Sequence, residues 1–178
     1  MKKNIRYNMH NQNLAIDHET RENYANEIFN TIEEAVIFKN AKTIALFASL
    51  PDEVPTTAAI ERWSNERRIV LPRVGENSIM EFFDYTPSQM CYGSYGINEP
   101  QGTTPIRVEH IDLMIVPGVA FTTSGGRLGR GKGYYDRYLS RSGFKAYTIG
   151  ICYPHQIVES LPLEEHDVIL DRVISQHP

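Results

Sequence analysis

The segment from Thr43 to Val74 constrains the fold most strongly, because it alternates strand and helix patterns. The apolar run Thr43–Leu50 predicts a buried strand, and Arg68–Val74 predicts the next one. Between them, Thr56–Arg67 places apolar residues on one helical face, which predicts an amphipathic helix. A strand, a helix and a strand in this order form a βαβ unit, so we expect parallel pairing and a right-handed crossover.

Further apolar runs predict additional strands for the same sheet. The most apolar, Ile111–Val116, predicts a central strand. Other strands are predicted at Ser78–Tyr85, Lys145–Tyr153 and Val168–Ser175, whereas Met90–Pro100, rich in Gly and Tyr, predicts a loop.

An N-terminal helix pattern follows Asp17, a residue suited to capping a helix. Its apolar positions fit a 3.6-residue period and are Tyr24, Ile28, Phe29, Ile32, Ala35 and Val36. Together these patterns predict an α/β fold in a single domain spanning residues 1–178. We expect an open, mostly parallel (mixed) sheet flanked by helices, in a Rossmann-like three-layer α/β/α arrangement.

Composition excludes several classes of protein. No apolar run approaches the roughly 18 to 20 residues of a membrane span, and no apolar segment follows the basic N-terminus as in a secretory signal. Cys91 and Cys152 form no CxxC pair, so we expect reduced thiols and a cytoplasmic protein. The net charge of −4 argues against general nucleic-acid binding.

One stretch departs from this acidic balance: residues 125–138, GGRLGRGKGYYDRY. Five of the 18 Lys and Arg residues lie between Gly125 and Arg141, with Asp136 as the only acid among them. Glycines between the cations let the backbone approach a ligand closely. Backbone N–H groups and fixed cations form a phosphate-binding loop, and the flanking patterns predict a strand before it and a helix from Tyr134 to Leu139.

The stretch nearly matches the nucleotide-binding P-loop, from Gly126 through Gly131 and Lys132. The next position is Gly133 where that motif has Ser or Thr, so a metal ion needs another ligand, and Asp136 is the nearest candidate. A basic surface turn without a ligand is the alternative interpretation.

Two longer motifs carry a family resemblance: PGVAF at Pro117–Phe121 and RLGRGKGYYD at Arg127–Asp136. They resemble the signature of the 5-formyltetrahydrofolate cyclo-ligase family, also called methenyltetrahydrofolate synthetases, and weaker similarity extends from Lys2 to about Ile174. The resemblance implies ATP-dependent cyclisation of 5-formyltetrahydrofolate to 5,10-methenyltetrahydrofolate, with release of ADP and phosphate through an N5-iminium phosphate. Family members often have Asp where this chain has Thr122, which bears on the loop's conformation.

The resemblance also implies site residues. As catalytic residues it implies Arg130, Lys132 and Tyr134. The implied ATP-binding residues are Lys2, Arg6, Arg127, Leu128, Gly129, Arg130, Gly131, Lys132, Gly133, Tyr134 and Tyr135. The implied folate-binding residues are Ala48, Glu53, Tyr95, Arg130 and Tyr134, and the implied Mg²⁺ ligands are Asp136 and Asp167. Lys2 and Arg6 are one helical turn apart, so both can project from one face.

Other functions stay open on the sequence alone. A non-catalytic nucleotide- or polyphosphate-binding module could use the same basic loop, and an Arg/Gly/Tyr stretch can also stack RNA bases. No zinc-ligand spacing or Ser-His-Asp arrangement is evident. We therefore expect a monomer that acts on two small molecules, folate and ATP, with neither nucleic acid nor a membrane as partner.

Overall fold

The computed structural model describes residues 1–93 and 96–175. The helices are α1 (Lys2–Ala15), α2 (His18–Glu34), α3 (Val36–Asn40), α4 (Thr57–Ser64) and α5 (Tyr134–Leu139). The strands are β1 (Thr43–Ala45), β2 (Arg68–Val74), β3 (Met80–Asp84), β4 (Met90–Tyr92), β5 (Asn98–Pro100), β6 (Leu113–Val116), β7 (Ala120–Phe121), β8 (Arg127–Leu128), β9 (Tyr147–Ile151) and β10 (Arg172–Ile174).

Six strands form the main sheet in the order β10-β9-β6-β1-β2-β3. Every neighbouring pair is parallel except β2 and β3, which are antiparallel. The predicted mixed, mostly parallel α/β sheet is therefore confirmed. So is the βαβ unit, in which Thr43 pairs with Arg68 across the parallel strands β1 and β2.

The interior of the sheet is apolar on both faces. Alternate residues of β6 enter two separate core clusters: Leu113 and Ile115 pack with α2 and α4, and Met114 and Val116 pack with α5. All four are buried, which confirms the predicted central position of this strand. Helices on both faces of one sheet give the three layers.

Helix α2 begins where the sequence predicts, because Asp17 accepts a hydrogen bond from the Thr20 N–H at 2.9 Å. It ends earlier than the apolar pattern predicts. Ala35 has extended backbone dihedrals and caps the helix, and Val36 is exposed at the start of α3. Those two positions were wrongly assigned to the buried stripe.

Two further boundaries differ from the prediction. Strand β1 ends at Ala45 rather than Leu50, because the following backbone turns towards the start of α4, where the Thr56 hydroxyl donates to the Phe47 carbonyl at 2.6 Å. The predicted loop at Met90–Pro100 contains a hairpin, in which β4 and β5 pair antiparallel with Met90 opposite Pro100.

Candidate active site

A cavity of about 490 Å³ opens where the chain leaves the carboxyl ends of β1, β2 and β6. Ligands bind at this edge in open α/β sheets. The cavity wall includes nearly all of the site residues that the sequence predicts: Lys2, Arg6, Ala48, Glu53, Arg127, Leu128, Gly129, Arg130, Gly131, Lys132, Gly133, Tyr134, Tyr135, Asp136 and Asp167. The remaining one, Tyr95, lies outside the described residues.

The basic loop crosses one side of the cavity, between the β7–β8 hairpin and α5. Gly131 and Gly133 have φ values of +100° and +66°, which residues other than glycine rarely adopt. A Cβ on Gly131 would also lie 3.3 Å from the Arg6 guanidinium carbon. Glycine therefore suits the backbone conformation at both positions, and at Gly131 the missing Cβ leaves room for the Arg6 guanidinium.

Thr122 holds the turn that precedes this loop. Its hydroxyl accepts the Gly126 N–H at 2.9 Å and lies 2.9 Å from the Ser124 hydroxyl. A short neutral side chain thus closes the turn at the position where family members often have Asp.

Arg127 is buried under the loop, with 3% of its side chain exposed. It donates to Asp136 Oδ1 at 2.8 Å and to the Pro117 carbonyl at 3.3 Å. Its Nε has no hydrogen-bond partner among the described residues. The Arg127–Asp136 pair therefore fixes the start of α5 against the β6–β7 connection.

Arg130 contacts two carboxylates from the turn after β1. It donates to Asp52 at 2.6 and 3.2 Å and to Glu53 Oε1 at 2.9 and 3.1 Å. Burial raises the pKa of Asp52, but hydrogen bonds from Arg130 and His10 outweigh it, so the pKa lies below its usual value. At Glu53 burial dominates and raises the pKa despite the charge of Arg130.

Helix α1 brings Lys2 and Arg6 to the cavity from one face, as their spacing predicts. Lys2 Nζ lies 2.6 Å from Glu164 Oε1 and 3.6 Å from Asp167 Oδ2. Arg6 Nε donates to the Gly129 carbonyl at 2.8 Å. Among the described residues, Arg6 and Lys132 make no ion pair, so these two cations of the cavity carry charge that no carboxylate neutralises.

Asp136 and Asp167, the predicted Mg²⁺ ligands, both line the cavity but already have partners. Asp136 pairs with Arg127, and Asp167 Oδ2 accepts the Glu164 N–H at 2.8 Å. Within residues 1–93 and 96–175 no group of three metal-ligating side chains occurs. This donor set fits an ion held mainly by phosphate oxygens and water, with one or two carboxylates, as is common for Mg²⁺.

The two tyrosines at the start of α5 lie differently. Tyr135 has a buried hydroxyl without a partner among the described residues, and burial and the charge of Glu53 raise its pKa. Its ring packs edge-on against Phe82 with centroids 6.5 Å apart. Tyr134 is half-buried, with the Arg137 guanidinium 5.6 Å from its ring centre.

Another part of the cavity wall is apolar, and the sequence patterns did not indicate most of it. It is formed by Phe47, Leu50, Pro72, Val74, Met80 and Ile97. Glu99 also lies there, buried, with a pKa raised by burial. The sequence misses this wall because its residues come from four separate segments that meet only in the folded protein.

In the described part of the chain, no helix combines the length and apolarity required to cross a bilayer.

Comparison with known proteins gives consistent matches. The model of the 5-formyltetrahydrofolate cyclo-ligase family matches residues 1–176. The mouse 5-formyltetrahydrofolate cyclo-ligase is 34% identical over 152 residues, covering 77% of this chain and 74% of the relative. The Haemophilus influenzae protein of the same name is 33% identical over 162 residues, covering 86% and 83%.

Solved structures agree. The NMR structure of 5,10-methenyltetrahydrofolate synthetase from Aquifex aeolicus superposes with a TM-score of 0.86 at 31% identity, covering 97% of this chain and 88% of that one. The synthetase from Mycoplasma pneumoniae gives a TM-score of 0.78 at 28% identity, covering 98% of both chains.

Proposed function

The chain belongs to the 5-formyltetrahydrofolate cyclo-ligase family, and we propose that its cavity carries out this family's ATP-dependent reaction. The enzyme converts 5-formyltetrahydrofolate and ATP into 5,10-methenyltetrahydrofolate, ADP and phosphate, so it is a ligase that forms a C–N bond and uses ATP as co-substrate. Its substrates are small molecules. The predicted cytoplasmic location and monomeric state stay predictions.

One observation carries the assignment: a single cavity of about 490 Å³ is lined both by a basic, glycine-rich loop and by a group of apolar residues. The basic wall suits the phosphates of ATP, since backbone N–H groups and cations bind anionic oxygens. The apolar wall suits the flat pterin ring. The formyl oxygen and the γ-phosphate therefore meet between the two walls.

On the phosphate side, Arg6 and Lys132 form no ion pair within residues 1–93 and 96–175, so we assign them direct contacts with phosphate oxygens. Arg127 lines the same wall, buried beneath the loop and paired with Asp136. Lys2, Leu128, Gly129, Gly131, Gly133 and Tyr135 complete the proposed ATP-binding surface. Three cationic groups around one phosphate chain lower the cost of bringing a neutral oxygen nucleophile to it.

On the folate side, Glu53 and Ala48 come from the segment after β1, and Tyr134 from α5. Glu53 accepts the Leu50 N–H at 2.9 Å, which fixes its carboxylate at the edge of the apolar wall. Tyr95 remains our candidate for stacking on the pterin ring, since an aromatic face suits a flat ligand.

The chemistry requires activation of a poor leaving group. The formyl oxygen attacks the γ-phosphorus, the bond to the β–γ bridging oxygen breaks, and ADP leaves. N10 then attacks the formyl carbon of the N5-iminium phosphate, phosphate departs with the former formyl oxygen, and N10 loses its proton. Such a reaction asks the protein for positioning and charge neutralisation, roles that we assign to Arg130, Lys132 and Tyr134.

Asp136 and Asp167 would hold Mg²⁺ together with phosphate oxygens. When bound, the ion would neutralise phosphate charge and orient the γ-phosphate. We expect Asp167→Asn to reduce ATP affinity in the presence of Mg²⁺ and to leave the affinity for ATP in EDTA unchanged, as measured by calorimetry.

The direct test is an absorbance assay at the methenyltetrahydrofolate band with 5-formyltetrahydrofolate, ATP and Mg²⁺. We expect an ATP-dependent rise that Lys132→Ala reduces strongly, with Lys145→Ala, outside the cavity, as the matched control. ATP binding without any rise would instead support the alternative, a non-catalytic nucleotide-binding module.

A further inference from the structure

The turn after β1 carries an acidic residue that the reaction as described does not use. Asp52 has only 7% of its side chain exposed, and it lines a second cavity of about 270 Å³ on the far side of Arg130. It is not among the residues that line the main cavity. Its burial against two basic groups requires an explanation.

The contacts of Asp52 form a chain that leads to the active site. Its Oδ1 accepts from Arg130 Nη2 at 2.6 Å, and its Oδ2 accepts from Arg130 Nη1 at 3.2 Å. From the other side, His10 Nδ1 donates to Oδ2 at 2.6 Å. Asn13 Nδ2 donates to the Asp52 carbonyl at 2.8 Å, so the backbone of the turn is held as well.

The hydrogen bonds to Asp52 and Glu53 fix the Arg130 side chain. The two terminal nitrogens face Asp52, while Nε and Nη2 face Glu53 Oε1 at 3.1 and 2.9 Å. Paired N–H···O bonds from a planar guanidinium restrict its rotation as well as its position. Asp52 adds a second pair of bonds on another edge of the guanidinium, so the two carboxylates together hold its plane more firmly than Glu53 alone.

We propose that Asp52 is a positioning residue. It holds the Arg130 guanidinium between the phosphate-binding loop and the carboxylate of Glu53, a proposed folate-binding residue. His10, from α1, supports Asp52 from behind. This inference rests on the proposed function, in which Arg130 acts where the formyl oxygen and the γ-phosphate meet. ATP affinity itself rests mainly on other cations, Arg6, Lys132 and Arg127.

The consequence is a defect in turnover with little loss of ATP binding. Misplacement of a catalytic group by about 1 Å can cost up to about 100-fold in rate. Because Asn at position 52 keeps one acceptor oxygen, we expect Asp52→Asn to lower kcat about tenfold and to change KM for ATP by less than about twofold.

A double-mutant cycle separates this role from a general structural one. Arg130→Lys removes the planar guanidinium and its paired hydrogen bonds. In that background Asp52→Asn should therefore lower kcat by less than about twofold. The matched control is Asp84→Asn, because Asp84 accepts a similar fork from Arg68 at 2.6 and 2.8 Å on the exposed edge of the sheet. That variant should retain wild-type kcat.

If Asp52→Asn does not fold, His10→Ala serves as the second variant, since half of the His10 side chain is exposed. His10→Ala should lower kcat about threefold in the wild-type background and should leave kcat unchanged in the Arg130→Lys background. Wild-type kcat in Asp52→Asn, or an equal loss in both backgrounds, would overturn the proposal. Lack of product from the wild-type protein would instead overturn the proposed function.

Discussion

The two long helices, α1 and α2, pack against the rest of the molecule through surfaces of opposite character. Helix α2 buries an apolar stripe of Ala25, Ile28, Phe29 and Ile32 against the sheet. Helix α1 has one buried side chain, that of the polar Asn13. Its inward contacts are polar. Lys2 contacts Glu164 and Arg6 contacts the Gly129 carbonyl, while His10 contacts Asp52 and Asn13 contacts His155.

The difference separates a structural helix from a functional one. Residues three or four apart share one helix face, so both stripes follow the same periodicity. The apolar stripe is stabilised by burial irrespective of any ligand. Two partners of the polar stripe, Gly129 and Glu164, line the main cavity, and Asp52 lines the second one, so we expect changes in the docking of α1 to affect the site.

The largest expected effect lies on the apolar stripe. Ile32 is fully buried, and Ile32→Ala should lower the free energy of unfolding by about 3 kcal/mol, through lost burial and the cavity left behind. Urea unfolding measures this directly, and Thr31→Ala on the exposed face of α2 is the control. The folded fraction should retain wild-type kcat; a large fall in kcat would remove the distinction between the helices.

An intermediate effect belongs to Asn13 on the polar stripe. Its side chain donates to the Asp52 carbonyl at 2.8 Å and lies 2.5 Å from His155 Nε2. Asn13→Ala should cost about 2 kcal/mol in unfolding free energy, since it leaves buried polar partners unsatisfied. Unlike Ile32→Ala, it should also reduce kcat. The exposed Asn11→Ala controls for helix propensity, and unchanged kcat in Asn13→Ala would contradict a functional role for the stripe.

A third test concerns nucleotide binding. Arg6→Ala should weaken ATP affinity about tenfold, equivalent to about 1.4 kcal/mol, because it removes a cation that lines the cavity wall and has no carboxylate partner in the described part of the chain. Calorimetric titration with ATP measures the change. Lys3→Ala removes a cation from the exposed face of the same helix and should bind ATP like the wild type. Equal losses in both variants would show a general charge effect only.

The smallest expected effect is on pH dependence. The pKa of Asp52 is lowered in the folded state by Arg130 and His10, against the effect of burial. Its ionised form therefore adds stability above the ordinary Asp pKa of about 4, and this contribution is lost as the pH falls through the lower folded value. Unfolding free energies between pH 6 and 3 should fall less steeply in Asp52→Asn than in the wild type. The same pH dependence of the unfolding free energy in both proteins would contradict a lowered pKa of Asp52 in the folded state.

Much of the fold follows from local sequence patterns. The apolar run at Leu113–Val116, the βαβ unit and the Asp17 cap each depend on neighbouring residues, so their predictions are confirmed. The early end of β1 was not predicted. It accompanies a hydrogen bond from the Thr56 hydroxyl to the Phe47 carbonyl, and only the folded turn brings these two residues together.

The site was predictable to the extent that one motif encodes it. The stretch RLGRGKGYYD indicates the basic wall, and its resemblance to a family supplies Lys2, Arg6 and Glu53 from distant segments. The contact of Arg130 with Asp52 and Glu53 was not predictable, because those residues are 78 and 77 positions away. Asp52 itself gave only a weak signal, as a carboxylate beside Glu53 at the end of a strand.

The central claim is that one cavity couples ATP cleavage to closure of the folate ring. The most direct measurement quantifies ADP and 5,10-methenyltetrahydrofolate in the same reaction, with each substrate omitted in turn. The account predicts one ADP per methenyltetrahydrofolate, and neither product when 5-formyltetrahydrofolate or ATP is absent. ADP release at the same rate without the folate, or folate cyclisation without ADP, would contradict it.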